Sequence, residues 1–293
     1  MLIERSLVPV LPIDQSWEAG ANLIYSITAI NEPDTGLIRM YYLVRNSVKK
    51  EGLLCIARTS DGIVWEKPDL GDGTNIIMRG FGDCSWGVFL PKRIIYDEVE
   101  ENPAARWKML YWDCPGVDGS GLKGPSENGQ AGLCMAGRAD GLSWSRRGEG
   151  PFICSANDAA SFVQVNPRAE AGPMPAAFLL YQQTWRYNPD LPQERDNLKS
   201  MHRQISIWTA MSFSPRVFSD GWVGPTTILS PDEKDPDDLQ YYWMSAFHTD
   251  YGYGGLLNCH HTGSQVMDVR QIKSRDGWSW EFMAFCAVKH LTE

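Results

Sequence analysis

The chain has 293 residues, of which 43% are hydrophobic and 22% charged, with a formal net charge of −9. Such a length and apolar content supply a sizeable core, while an acidic chain with no Lys/Arg run excludes nucleic acid and anionic membrane surfaces as partners. No apolar run reaches the ~18 residues of a membrane span, and no long apolar segment opens the N-terminus, so a cytoplasmic protein is expected.

In chain order the first elements read as strands. "NLIYSITAI" (22–30) is apolar and leads into the turn residues "NEPDTG". "LIRMYYLVR" (37–45) and "LLCIARTS" (53–60) follow, and Asp61-Gly62 makes a tight hairpin into a fourth strand, "IVWEKPD" (63–69). The same order returns in 86–97, 106–113, 132–139 and 142–148. A third copy covers 161–167, 176–185, 203–213 and 222–229, with a degraded turn. A fourth covers 241–250, 254–263, 266–275 and 278–285. Asp61, Asp140 and Asp276 open three of the hairpins, each followed by Gly and, three residues later, by Trp. A recurring four-strand unit of this length is a β-propeller blade, and no helical period of useful length competes with it. The expected role of the Asp-Gly turns is structural: Gly supplies positive φ, Asp caps the turn, and Trp anchors the outer strand.

Twelve Trp and eleven Tyr point to aromatic filling of strand-rich cores, with a ring-stacking cleft as the functional alternative. Seven Cys, none in a CxxC and most within apolar runs, read as buried reduced thiols rather than a disulfide framework or a zinc site. No metal or other cofactor is expected.

The "SDGxxW" and "KP" repeats with "RWKMLYW" between copies resemble the five-bladed β-propeller superfamily of glycoside hydrolases, the fold of invertase-like fructosidases, arabinanases and xylosidases. The resemblance spans roughly residues 10–285. It implies an all-β protein forming one domain over 1–293, with four clear blades. A fifth is assembled from the termini, is lost, or comes from another subunit, and either closure or a homodimer is expected to cover the open sheet edges. The fructosidase-type "WMNDPNG" and the "RDP" motif are absent, and Pro91-Lys92-Arg93 is only a vague neighbour of the latter.

In a propeller the innermost strand of each blade lines the central channel. An acid stands just before each inner strand: Glu18, Asp83, Asp158 and Asp238. Carboxylates at this phase suit general acid and base or nucleophile roles. In the resembling glycosidases, three inner-strand carboxylates from separate blades do this work. Asp158 and Asp238 are the expected pair, with Asp83 or Glu18 as helper or nucleophile, and Asp14 as an alternative to Glu18. Trp17, Trp86, Tyr241, Tyr242 and Trp243 are candidate stacking surfaces, Arg93 a candidate substrate ligand, and His248 a candidate polar contact or non-hydrolytic base. A metal site joining His248 to His260 or His261 has no supporting spacing.

The leading expectation is a glycoside hydrolase-like enzyme acting on a carbohydrate or glycoside. Two alternatives stand beside it: a repurposed propeller that catalyses proton transfer in small-molecule biosynthesis (cyclisation, dehydration or isomerisation), and a non-catalytic carbohydrate-binding propeller.

Overall fold

The structure, a computed structural model, describes residues 9–33, 35–49, 51–80, 88–114, 131–148, 150–155, 157–190, 200–218 and 221–283. Contacts divide the chain into two compact units, 1–158 and 159–293. The protein is all-β, of the β-propeller class, with four blades described, two in each unit. The helical content of the described residues is one 3-10 turn, Pro103–Ala105. None of their helices is long and apolar enough to cross a membrane.

In the first unit, blade one is the antiparallel meander β1 (Leu23–Asn31), β2 (Ile38–Asn46), β3 (Glu51–Thr59) and β4 (Ile76–Arg79). Blade two runs β5 (Leu90–Tyr96), β6 (Trp107–Asp113), β7 (Gly132–Arg138) and β8 (Ser145–Arg147), with β9 (Ile153–Cys154) also paired to β7. The middle strands are buried on both faces, so alternate residues pack in opposite directions. On one face of blade one, Met40, Tyr42, Val44, Leu53, Cys55 and Ala57 form a cluster against which Leu11 and Trp17 of the preceding segment pack. On the other, Tyr41 meets Trp107 and Trp144 of blade two edge-on.

In the second unit, blade three is β10 (Ala160–Gln164), β11 (Phe178–Tyr187), β12 (Met201–Ala210) and β13 (Val223–Leu229). Blade four is β14 (Leu239–Thr249), β15 (Gly252–His261), β16 (Val266–Ser274) and β17 (Glu281–Phe282). Their facing sides share one core, in which Leu179, Tyr181, Ile205 and Ile207 meet Leu239, Met244, Tyr253 and Leu257. Burial of each such side chain contributes about 1.5–3 kcal/mol.

The Asp-Gly turns have the expected geometry. Gly62, Gly141 and Gly277 adopt φ of 77°, 65° and 78°. One carboxylate oxygen of each aspartate accepts the two backbone N–H groups that follow: Ile63 and Val64, Leu142 and Ser143, Trp278 and Ser279. Trp65 and Trp280 donate back to the carbonyls of Gly62 and Gly277, both at 3.1 Å. The same turns also lock successive blades together. Tyr41 on β2 donates to the Gly141 carbonyl, and Tyr181 on β11 to the Gly277 carbonyl, both at 2.9 Å.

The fourth strand of blade one departs from expectation. Residues 63–69 are not a strand and pair with β3 only at the isolated Arg58–Glu66 bridge. The cap of Asp61 curls Ile63 and Val64 outward, leaving them 69% and 65% exposed, and Pro68 offers no ladder donor. The outer strand is β4 instead, seven residues further on. All five cysteines among the described residues are free, and four of them are buried. Burial pushes the thiols of Cys55 and Cys259 up to about 12.

Candidate functional site

The site is best followed within the first unit, at the starting ends of inner strands β1 and β5. Leu23 pairs with Arg45 and Tyr25 with Leu43, so Tyr25 and Arg45 share one face of blade one. This is also the face of Tyr41, which packs on blade two. The Tyr25 hydroxyl donates to the Pro91 carbonyl at 3.4 Å. A register shift between Pro91 and Arg93 leaves Lys92 as the extra residue of β5. Its ammonium, on a side chain only 2% exposed, reaches Asp158 Oδ2 at 2.5 Å, whereas the Asp158 side chain is 41% exposed. Burial pushes the Lys92 pKa down, Asp158 pushes it back, and the Arg45 charge lowers it further. Burial raises the Tyr25 phenol, and the Asp158 carboxylate beside it adds to that. Tyr25, Arg45, Lys92 and Asp158 therefore form one electrostatic neighbourhood built from inner strands and the chain just before β10.

Asp158 is thus a solvent-facing carboxylate anchored through one oxygen by a buried cation. Sequence reasoning found Asp158 by its position before an inner strand. It missed Lys92, whose signal was the Pro91-Lys92-Arg93 run at an inner-strand start, and it missed Tyr25 and Arg45. Arg93 lies on the Leu110 side of the same strand, and burial lowers its pKa. Its Nε has no hydrogen-bond partner among the described residues.

Glu18 sits elsewhere. Its carboxylate accepts from Tyr42 at 2.8 Å and Lys67 at 2.7 Å, and from the backbone N–H groups of Asp14 and Gln15. Tyr42 belongs to the opposite face of blade one from Tyr25. The Tyr42 and Lys67 donors hold the leading segment onto blade one, and the two backbone donors close its own turn. Lys67 also takes Asp14 at 2.8 Å. Trp17 packs on the same cluster and donates to Asn75 at 3.1 Å, which is a core role rather than a stacking platform. Asp83 and Trp86 lie outside the described residues.

In the second unit, Asp238 precedes β14 as expected. Its Oδ2 accepts from Gly263 N at 3.1 Å, and its Oδ1 stands 3.5 Å from His261 Nδ1. His261 Nε2 is 3.2 Å from Asp268, so the ring lies between two carboxylates. Tyr241 is buried in the shared core with its hydroxyl on Asp235 at 3.3 Å. Tyr242 faces His260 edge-on, and the Arg203 guanidinium lies over both its ring and that of Trp185. Arg203 also bonds Gln240. His248 is at the other end of β14, ten residues and ~33 Å of strand from Asp238. There its Nε2 is 2.7 Å from the Gln164 carbonyl oxygen, and its ring meets Tyr253 edge-on. Strand register therefore separates His248 from Asp238, and it separates His248 from His260 and His261 as well, because His248 pairs with Tyr253 while His260 pairs with Gln240. Among the described residues no cluster of three His, Cys, Asp or Glu is arranged to hold a metal.

A cleft of about 720 Å³ in the second unit is lined by Thr226, Thr227, Asp276, Trp278 and Trp280. Both oxygens of Asp276 are committed to the turn, so this cleft lacks a free acid.

No protein-family model and no curated protein matches the chain. Solved structures do. A glycoside hydrolase of Bacteroides ovatus, described as putative, aligns with a TM-score of 0.51 at 15% identity, over 88% of this chain and 71% of that one. A glycosidase of Bacteroides thetaiotaomicron, also described as putative, aligns at 0.52 and 13%, over 91% and 73%. An exo-1,5-alpha-L-arabinanase from a bovine ruminal metagenomic library aligns at 0.51 and 10%, over 96% and 85%. At these identities the likeness is one of fold, shared with glycoside hydrolases.

Proposed function

We propose that the protein is a glycoside hydrolase-like enzyme in which Asp158 performs acid/base or nucleophilic work on a carbohydrate or glycoside. The observation that carries this reading is the Asp158 carboxylate itself: open to solvent, fixed by a buried lysine, and positioned before an inner blade strand. The fold shared with glycoside hydrolases supports it. An ammonium on one oxygen complements the ionised carboxylate, the form that a base or nucleophile uses, and leaves the other oxygen to face a substrate. Tyr25 contributes a protonated hydroxyl beside it. Asp238 is a second candidate acid, to be tested in the same assay.

A second reading, a proton-transfer enzyme, is favoured by one observation. Lys92 is a buried amine whose pKa is lowered, a property that suits a base. The assay that separates the two is a panel of aryl glycosides with wild type, Asp158→Asn and Asp140→Asn. A hydrolase releases the aryl group, and Asp158→Asn lowers that rate by roughly 10²–10⁴-fold, while the turn variant leaves it alone. Aryl release unaffected by Asp158→Asn removes this residue from the mechanism.

A further inference from the structure

The neighbourhood of Asp158 has a charge imbalance. Its described ionisable groups are two cations, Arg45 and Lys92, one anion, Asp158, and the phenol of Tyr25. The phenol is neutral, since burial and the adjacent carboxylate both hold its proton on. With Lys92 protonated on Asp158, these described groups sum to a charge of plus one, in a chain whose net charge is −9.

Lys92 is committed to Asp158. Arg45 is not committed in the same way. It stands near the end of β2, half-buried, on the face it shares with Tyr25, and its guanidinium has no hydrogen bond or ion pair among the described residues. The other arginines of blade one are held differently: Arg39 and Arg58 bind Glu32, and Arg79 binds Glu51. A guanidinium offers a planar fork that fits a carboxylate through two parallel hydrogen bonds. Its charge reaches both Lys92 and Tyr25, which places the fork beside the candidate catalytic carboxylate rather than on a remote surface.

We infer that this site takes a substrate bearing its own carboxylate, a uronic acid or uronide, with Arg45 as the residue that recognises the acid group. The inference deepens the reading above by naming the substrate class. Lys92 spares Asp158 an uncompensated encounter with a second anion, and Arg45 supplies the counter-charge that the incoming acid requires. A neutral hexose has no use for the second cation.

The test is isothermal titration of the full chain with D-glucuronate and D-galacturonate, against D-glucose and D-galactose. Wild type binds at least one acid about tenfold or more tightly than its neutral counterpart, and binding weakens with added salt. Arg45→Gln lowers the acid affinity by about tenfold or more, consistent with a lost charge-assisted contact. Arg45→Lys, which keeps the charge without the fork, is intermediate, and Arg79→Gln, a surface charge control, is unchanged. Neutral sugars bound as well as the acids overturn the inference, as do acids not bound at all or an Arg45→Gln variant that binds them normally. Its failure is distinguishable from failure of the hydrolase reading. Uronates that bind through Arg45, with aryl uronides left intact, retain the inference and remove the hydrolase. Neutral aryl glycosides cleaved in an Asp158-dependent way, with no preference for acids, do the reverse.

Discussion

Glu18 and Lys67 are both almost fully buried, with side-chain exposures of 1% and 6%, and each is the other's close partner. Lys92 is just as buried at 2%, but its partner Asp158 is 41% exposed. The difference decides what removal does. Glu18→Gln leaves Lys67 with only the half-exposed Asp14 carboxylate as counter-charge and weakens the acceptor for Tyr42, so we expect a loss of about 1–3 kcal/mol in urea unfolding. Lys92→Met keeps the apolar stem and leaves Asp158 to water, so stability changes by less than about 1 kcal/mol. The pH dependence has a definite sign. Burial lowers the folded-state pKa of Lys92, so the folded chain releases that proton before the unfolded chain does. Stability attributable to Lys92 therefore rises with pH from its folded value toward the ordinary lysine value of ~10.4. Below about pH 10, where tyrosines begin to ionise in the unfolded chain, the stability of wild type relative to Lys92→Met is expected to rise with pH, on top of the fall above ~8.5 that the buried thiols of Cys55 and Cys259 impose on both. A Lys92→Met variant with the wild-type alkaline profile contradicts the assignment.

At the scale of elements, the repeated turn is both a hairpin and a peg. Its aspartate satisfies two backbone donors of its own chain, and its glycine carbonyl accepts a tyrosine from the preceding blade of the same unit. Close approach explains why glycine stands there. A Cβ on Gly141 would come within 2.5 Å of the Tyr41 hydroxyl, and one on Gly277 within 2.5 Å of Leu179. Gly62 has open space at the same position, so there only the positive φ constrains it. Tyr41→Phe and Tyr181→Phe each leave a buried carbonyl without its donor and are expected to cost about 1–2 kcal/mol in thermal or urea unfolding. Gly277→Ala is expected to cost more than Gly62→Ala, since it adds a clash to the strain common to both. Equal losses for the two alanine variants refute the peg.

For the molecule as a whole, the strand meanders were legible because each blade repeats one alternation of apolar runs and turn residues. The Asp-Gly turns gave the phase of that repeat. What the sequence did not show is where a carboxylate points. Glu18 and Asp158 both precede inner strands, yet Lys67, 49 positions beyond Glu18, draws the first against the core face, while a bulge in β5 brings Lys92 to the second. Likewise β14 looked like one site, but its 11-residue length carries Asp238 and His248 to opposite ends.

The same repeat sets the response of the whole chain to acid. Asp61 is held below its ordinary value by the backbone bonds from Val64 and Ile63. For Asp140 and Asp276, burial opposes ionisation, and the turn hydrogen bonds outweigh it. Glu32 behaves alike: burial raises its pKa, and Arg39 and Arg58 lower it further than burial raises it. A carboxylate with a depressed folded-state pKa contributes stability that is complete above its unfolded value, near ~4, and is lost as pH falls through the folded value. Because three of these groups sit at hairpins of blades one, two and four, their protonation loosens three blades in the same interval. The urea midpoint of wild type is therefore expected to hold steady from about pH 7 to 5 and to fall below about pH 4. The triple variant Asp61→Asn, Asp140→Asn, Asp276→Asn keeps an acceptor in each turn but has no proton to bind. It is expected to be less stable than wild type at neutral pH and to show a distinctly shallower acid limb, with the residual slope carried by Glu32 and the other carboxylates held below their ordinary values, Asp14, Asp72 and Glu100. An acid limb as steep as that of wild type would place the acid sensitivity outside the repeated turns.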